Sequence, residues 1–172
     1  DVTNDTLTLD PDDVKRRLSP RTKAILPVDY AGHPADLDEI LTLADRHGLT
    51  VIEDAAHALG ARYRGRRVGS VSHMTVFSFH PVKHLTTGEG GMVTTNDVTF
   101  ARRLRMCRNH GIESDARTRQ AAGHWYYEMT TLGYNYRLAD LACALGLSQI
   151  CRLDANVKRR RAIAQHYEDS FA

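Results

Sequence analysis

The sequence has no apolar run approaching the roughly 18 residues a membrane-spanning helix requires, which excludes a protein built on such helices. Cysteine is scarce: Cys107, Cys143 and Cys151 are an odd number with no CxxC pair. That gives no disulfide framework, and reduced thiols in the cytoplasm are the simplest reading. Neither sign of charge dominates. Twenty-three Lys and Arg face 21 Asp and Glu, a net charge of +2, so nucleic acid is not an expected partner. There is no internal repeat and no low-complexity stretch. An initiator methionine is also missing. The opening "DVTNDTLTLD" is polar and acidic, unlike a secretory signal, and the end "AIAQHYEDSFA" runs as a helix without a stop signal. We therefore expect a cytoplasmic protein of which this chain is a part.

What is present suits a soluble globular domain. The 172 residues are 42% hydrophobic and 26% charged, enough for one domain with a real core. Asp10 and Pro11 open a short helix that Ser19-Pro20 ends. "KAILPV" (23–28) reads as an apolar strand and "YAGHPAD" (30–36) as a loop. "DLDEILTLADRHG" (36–48) is a helix with Leu37, Ile40, Leu41 and Ala44 on one face and Gly48 at its end. "TVIEDA" (50–55) is a second buried strand, so a βαβ unit with a parallel sheet is predicted. Residues 60–70 form a polar, glycine-punctuated loop. "MTVFSF" (74–79) and "GGMVTTN" (90–96) are strands joined across a turn. Residues 97–111 make a helix capped by Asp97 and stopped by Gly111, and 112–125 a polar, non-periodic loop. A helix over 134–154 should turn Leu138, Leu141, Ala142 and Leu145 inward, and another follows from Asp154.

Several residues can carry chemistry. Asp54 stands at the C-terminal end of a buried strand, the edge where open parallel sheets bind ligands. It reads equally as the cap of a following helical turn. Lys83, in "FSFHPVKHLTTGEGG" (77–91), follows an apolar strand and a proline and precedes Gly88, Gly90 and Gly91. Apolar surroundings lower a lysine pKa and permit Schiff-base chemistry; the alternative is a solvated turn lysine. Ser78 can donate to a phosphate or satisfy a backbone group at the strand end. His80 and His84 have a metal spacing only on a helix, and Pro81 argues against one, so no metal is expected. "KRRR" (158–161) reads as a solvated helix face without the aromatics of a single-strand binder. Together these features suggest an α/β enzyme with a phosphate-bearing ligand and a reactive lysine.

The blocks "IEDAAHALGARYRGRRVGS", "MTVFSFHPVKHLTTGEGGMVTTND" and "YYEMTTLGYNYRLADLACALGLSQ" make the chain resemble the DegT/DnrJ/EryC1/StrS family of pyridoxal-phosphate sugar aminotransferases. Within it, the pseudaminic acid branch looks most similar, whose enzyme aminates C4 of a UDP-linked 4-keto-6-deoxy-N-acetylhexosamine. The resemblance implies the type I aspartate-aminotransferase fold, α/β with a mixed, mostly parallel sheet. Residues 1–150 would be part of the large cofactor-binding domain, and 151–172 a helix leading into a small C-terminal domain. It implies that Lys83 forms the Schiff base with pyridoxal 5'-phosphate and then moves the substrate proton. Asp54 would pair with the pyridine nitrogen, keeping the ring an electron sink. His57 would lie beside the ring and Ser78 on the phosphate. Asn135 would reach the phosphate of a neighbouring subunit's cofactor, which implies a homodimer with shared active sites. The amino donor would be L-glutamate. The family's other phosphate ligand, a helix N-terminus, and an aromatic that stacks on the cofactor belong to a region that would precede residue 1. Two other readings compete: a sugar dehydratase, which has histidine at the lysine position and against which Lys83 argues, and a non-enzymatic relative.

Overall fold

The computed structural model describes residues 1–114 and 116–172. Its centre is a four-stranded sheet. The strands are β1 (Ala24–Ile25), β2 (Thr50–Asp54), β5 (Met74–Ser78) and β6 (Gly91–Thr94), in the order β1-β2-β5-β6. β1 and β5 run parallel to β2, and β6 runs antiparallel to β5. This is the mixed, mostly parallel sheet expected. The cause of the one antiparallel pair is local. A twelve-residue turn can bring the chain back beside β5, whereas a parallel partner needs a longer crossover.

β1 is shorter than the six residues read from "KAILPV". Pro27 has no N–H to give to a ladder. Its carbonyl still accepts from Asp54 N at 2.8 Å, and Val28 bridges to Asp54 beyond it. Leu26, on the outer face, remains 61% exposed.

Helix α1 (Pro11–Arg17) is capped by Asp10, whose carboxylate accepts from Asp12 N. Helix α2 (Leu37–His47) buries Leu37, Ile40 and Ala44 against Ile25 and Val51, with Leu41 packed alongside. Full burial of a side chain such as Leu37 or Ile40 contributes about 1.5–3 kcal/mol. Gly48 ends α2 in the left-handed region at φ 63°, and Leu49 N returns to Ala44 O at 2.9 Å. Helix α3 (Val98–Arg108) begins at Asp97, whose carboxylate accepts from Thr99 N and Phe100 N.

Three expectations need correction. Residues 60–70 are not only loop: β3 (Arg62–Tyr63) and β4 (Arg66–Arg67) pair as a hairpin. Its turn residues Arg64 and Gly65 both have positive φ, which matches the strand twist. Residues 112–125 include a short helix, α4 (Ala116–Ala121), whose alanines, arginines and glutamine are good helix formers. Helix α5 (Asp140–Ile150) turns only part of the expected face inward: Ala142, and Leu138 just before the helix, are half-buried. Leu141 is 85% exposed and Leu145 43%, and no α5 residue is buried. Its contact with the sheet side runs through Gly146, where a Cβ would lie 2.9 Å from Thr87 Cγ2, and Gln149. "LACALGL" is apolar on every side, so its pattern has no preferred face. Helix α6 (Leu153–Phe171) follows, and no helix among the described residues is long and apolar enough to cross a membrane.

Candidate active site

Strand alternation builds the site. β2 and β5 both bury their second and fourth residues: Val51 and Glu53 on one strand, Thr75 and Phe77 on the other. In register, Asp54 lies opposite Val76, and Ser78 follows two residues on. Successive side chains alternate faces, so Asp54 and Ser78 share the half-buried face while Glu53 and Phe77 point to the core. Both stand at the C-terminal ends of parallel strands, where the chain leaves the sheet and ligands bind.

Asp54 is held from three sides. Its N–H donates to Pro27 O, its carbonyl accepts from Asp29 N at 2.9 Å, and Oδ1 accepts from Ala56 N at 3.0 Å. The last bond caps a turn rather than a helix, since residues 55–60 form no regular helix. The other carboxylate oxygen makes no hydrogen bond among the described residues and is free for a ligand. His57 lies on this turn and is exposed. Gly32 backs directly onto it: a Cβ at Gly32 would sit 2.8 Å from His57 O.

The Lys83 turn begins at Ser78, which pairs with Gly91 of β6. Phe79 N donates to Gly90 O at 2.8 Å, and Phe79 O accepts from Thr87 N and Thr86 Oγ1, both at 3.0 Å. Phe79 and Leu85 are buried beneath, so the turn is anchored to the core at both feet. Close approach decides the glycine at 91: a Cβ there would meet Phe77 O at 2.7 Å. Residues 80–84 form turns and bends, not a helix. Lys83 N donates to His80 O at 2.9 Å, while its half-buried side chain has no hydrogen-bond or ion-pair partner among the described residues.

The neighbouring His84 reports the local field. Burial lowers its pKa below the ordinary histidine value, and the charges of Arg160, His57 and Lys83 lower it further. Lys83 and His57 therefore act on one spot, together with α6 through Arg160. The Arg160 side of α6 is exposed, as read from "KRRR".

Ser78 also has a local bond, accepting weakly from His80 N at 3.4 Å. Asn135 stands on a different segment. It bridges to Asn109 at the end of α3, between Tyr134 N→Cys107 O at 2.6 Å and Tyr136 N→Arg108 O at 3.0 Å, and it is exposed. The structure thus gathers Asp54, His57, Ser78 and Lys83 around the ends of β2 and β5 and leaves Asn135 apart from that group.

Two functional candidates escaped the sequence reading. Glu53 and Asp29 are fully buried acids directly behind Asp54. The signal for Glu53 was present: period-two alternation in "TVIED" turns a carboxylate toward the core. A separate apolar cleft of about 340 Å³ is lined by Phe77, Phe79, Leu85, Met92 and Ile150, and none of Asp54, His57, Ser78 and Lys83 lines it.

The donor set suits one ligand chemistry. An amine without a partner can condense with an aldehyde, a carboxylate with a free oxygen can hold a protonated ring nitrogen, and a strand-end hydroxyl can bond phosphate. Pyridoxal phosphate carries all three groups.

Comparison with known proteins shows which chains this one resembles. S. venezuelae DesV, in complex with a ketimine intermediate, is 44% identical, with a TM-score of 0.88 over 99% of this chain and 43% of its own. Helicobacter pylori PseC, an aminotransferase of pseudaminic acid biosynthesis, is 34% identical, with a TM-score of 0.79 over 89% of this chain and 39% of its own. An uncharacterised protein of Methanocaldococcus jannaschii is 44% identical over 99% of this chain and 45% of its own length. The chain thus spans less than half the length of these relatives. The sequence profile of one family matches residues 1–172 throughout, and the chain belongs to the DegT/DnrJ/EryC1/StrS aminotransferase family.

Proposed function

We propose that this chain supplies the lysine-bearing part of a pyridoxal-phosphate-dependent aminotransferase that aminates a nucleotide-linked keto sugar. The observation that carries the reading is Lys83, half-buried and unpartnered on a turn anchored at both feet, at the strand edge that presents Asp54 and Ser78. When bound, the cofactor supplies an electron sink that stabilises charge developing on the substrate carbon.

The residues divide the work. Lys83 would hold the cofactor through Nζ and, when free of it, would carry the proton to and from the substrate carbon as general base and acid. Asp54 orients the ring and holds a proton on its nitrogen through the oxygen that the Ala56 N–H leaves free. Ser78 Oγ donates to the phosphate, and His57 flanks the ring. Asn135 serves a second subunit's phosphate. The paired subunits this requires are supported by the exposed apolar side chains around it, Leu132, Tyr134 and Tyr136 among them. Residues 1–150 form the cofactor-binding part, and α6 leads out of it toward a further domain. The enzyme works in the cytoplasm.

For substrate, we propose C4 of a UDP-linked 4-keto-6-deoxy-N-acetylhexosamine, with L-glutamate as donor. The likeness to PseC supports this reading. A second reading has its own support: DesV is more similar by identity, and the related DesI was solved with its TDP-sugar product at 34% identity. A panel of UDP- and TDP-linked 3-keto and 4-keto sugars, assayed on the full-length protein with glutamate, separates the two. Turnover of the UDP-linked 4-keto sugar is expected. Turnover confined to TDP-linked or 3-keto sugars would move the assignment to the other branch.

A further inference from the structure

Behind Asp54, on the core face of the sheet, lie two acids that form no salt bridge among the described residues. Glu53 is fully buried, and its Oε2 accepts from Thr75 Oγ1 at 2.7 Å. Asp29 is fully buried at the start of the loop after β1, and its Oδ1 accepts from Ala35 N at 3.1 Å. One oxygen on each remains: Asp29 Oδ2 and Glu53 Oε1 are buried and have no partner among the described residues. The side chains are within hydrogen-bonding reach of each other, and the charged groups facing Asp29 are Glu53 and Asp54.

Two ionised carboxylates cannot share such a place. Each would be desolvated, each would repel the other, and two lone oxygens would face one another in a dry layer. A single proton removes all three costs, since it neutralises one acid and turns two unsatisfied acceptors into a donor and an acceptor. We propose that Asp29 and Glu53 hold one proton between them, Asp29 Oδ2 donating to Glu53 Oε1, and that this bond pins the 29–35 loop to β2 and so positions Asp54 and His57.

The loop has few other ties to that strand. Asp29 N donates to Asp54 O at 2.9 Å, and Gly32 backs onto His57 O. Both contacts bear on candidate site residues, and both depend on where Asp29 is held. Burial, with the nearby charges of Glu53 and Asp54, raises the Asp29 carboxyl to about 8. The proton therefore stays at neutral pH and leaves in the mildly alkaline range. The positioning role rests on the reading of Asp54 above; the shared proton does not.

The first test is infrared titration of the full chain. The C=O stretch of a protonated carboxyl is expected at pH 7, fading through pH about 8, missing in Asp29→Asn and either missing or shifted in frequency in Glu53→Gln. Either variant suffices should the other fail to fold. No such band at pH 7, or a band surviving both substitutions, overturns the shared proton. Stability gives an independent check. Between the ordinary aspartate value near pH 4 and about 8, the folded state holds a proton the unfolded state lacks, so stability falls as pH rises across that window. Asp29→Asn keeps a donor toward Glu53 without the titration, so its urea midpoint should gain on the wild type as pH rises. Parallel profiles would contradict the proposal.

Positioning is read from pyridoxal phosphate affinity. Asp29→Asn should bind within about threefold of wild type, while Asp29→Ala, which strands the Glu53 oxygen, should bind about tenfold more weakly. Equal loss in both variants would overturn the positioning role. Wild type that fails to bind would instead count against the site reading, with the infrared result still deciding the proton.

Discussion

The sheet half of the molecule and its helical half handle apolar surface in opposite ways. From β1 to β6 the aliphatic and aromatic side chains of α2, β2 and β5 close over two clusters, one around Ile40 and Val51 and one around Phe77 and Phe79. Even two acids are drawn inside. From residue 125 onward many large apolar side chains face outward: Trp125 is 85% exposed, Leu132 84% and Leu141 85%. Leu153 alone is a buried member of α6. A core that closes on itself makes a rigid platform, and rigid strand ends hold a lysine and a carboxylate in fixed relation. An apolar surface of this extent instead marks a face made to be covered.

The strongest challenge to this contrast is removal of the reacting group from the platform. Lys83→Ala in the full-length protein should lower amine transfer by at least the roughly 10²–10⁴-fold that a general acid–base supplies, measured as kcat with excess glutamate. A smaller loss would mean that the platform holds another base. Next is the core beneath it. Ile40→Ala should cost about 2–5 kcal/mol in urea unfolding, because α2 has no slack to fill the cavity.

Much of this platform was legible in the sequence. Asp54 and Ser78 stood out as candidates because each lies at the end of an apolar strand, "TVIED" and "MTVFSF", and Lys83 because proline and glycine bracket it. The α2 face was equally clear, since only Leu37, Ile40, Leu41 and Ala44 fall on one stripe. The helical half resisted. α5 offers apolar residues all round, so no period distinguishes Leu141 from Gly146, and the face it uses depends on where the Lys83 turn presents Thr87. The hairpin at 62–67 was hidden by polar strands only two residues long. The acid pair was hidden for another reason: Glu53 is visible by alternation, but its partner Asp29 lies across a loop whose path only tertiary structure reveals.

Smaller effects sharpen the contrast. His84 Nδ1 is buried without a partner among the described residues, and burial lowers the pKa of the ring. Below the ordinary histidine value near pH 6.5 the unfolded chain takes up a proton that the folded chain resists, so stability should fall as pH drops through that point. His84→Gln should flatten the slope of the urea midpoint against pH. At the far end, Leu141→Ser should change unfolding stability of the isolated chain by no more than about 0.5 kcal/mol, since the side chain loses little burial there. The same substitution should weaken self-association of the full-length protein in sedimentation equilibrium.

The central question is whether Lys83 is the amine that meets the cofactor. Incubation of the full-length protein with pyridoxal phosphate, reduction with borohydride, digestion and mass spectrometry locate the adduct directly. The result predicted is a single pyridoxyl group on Lys83; an adduct on other lysines with Lys83 unmodified, or no adduct at all, would contradict it.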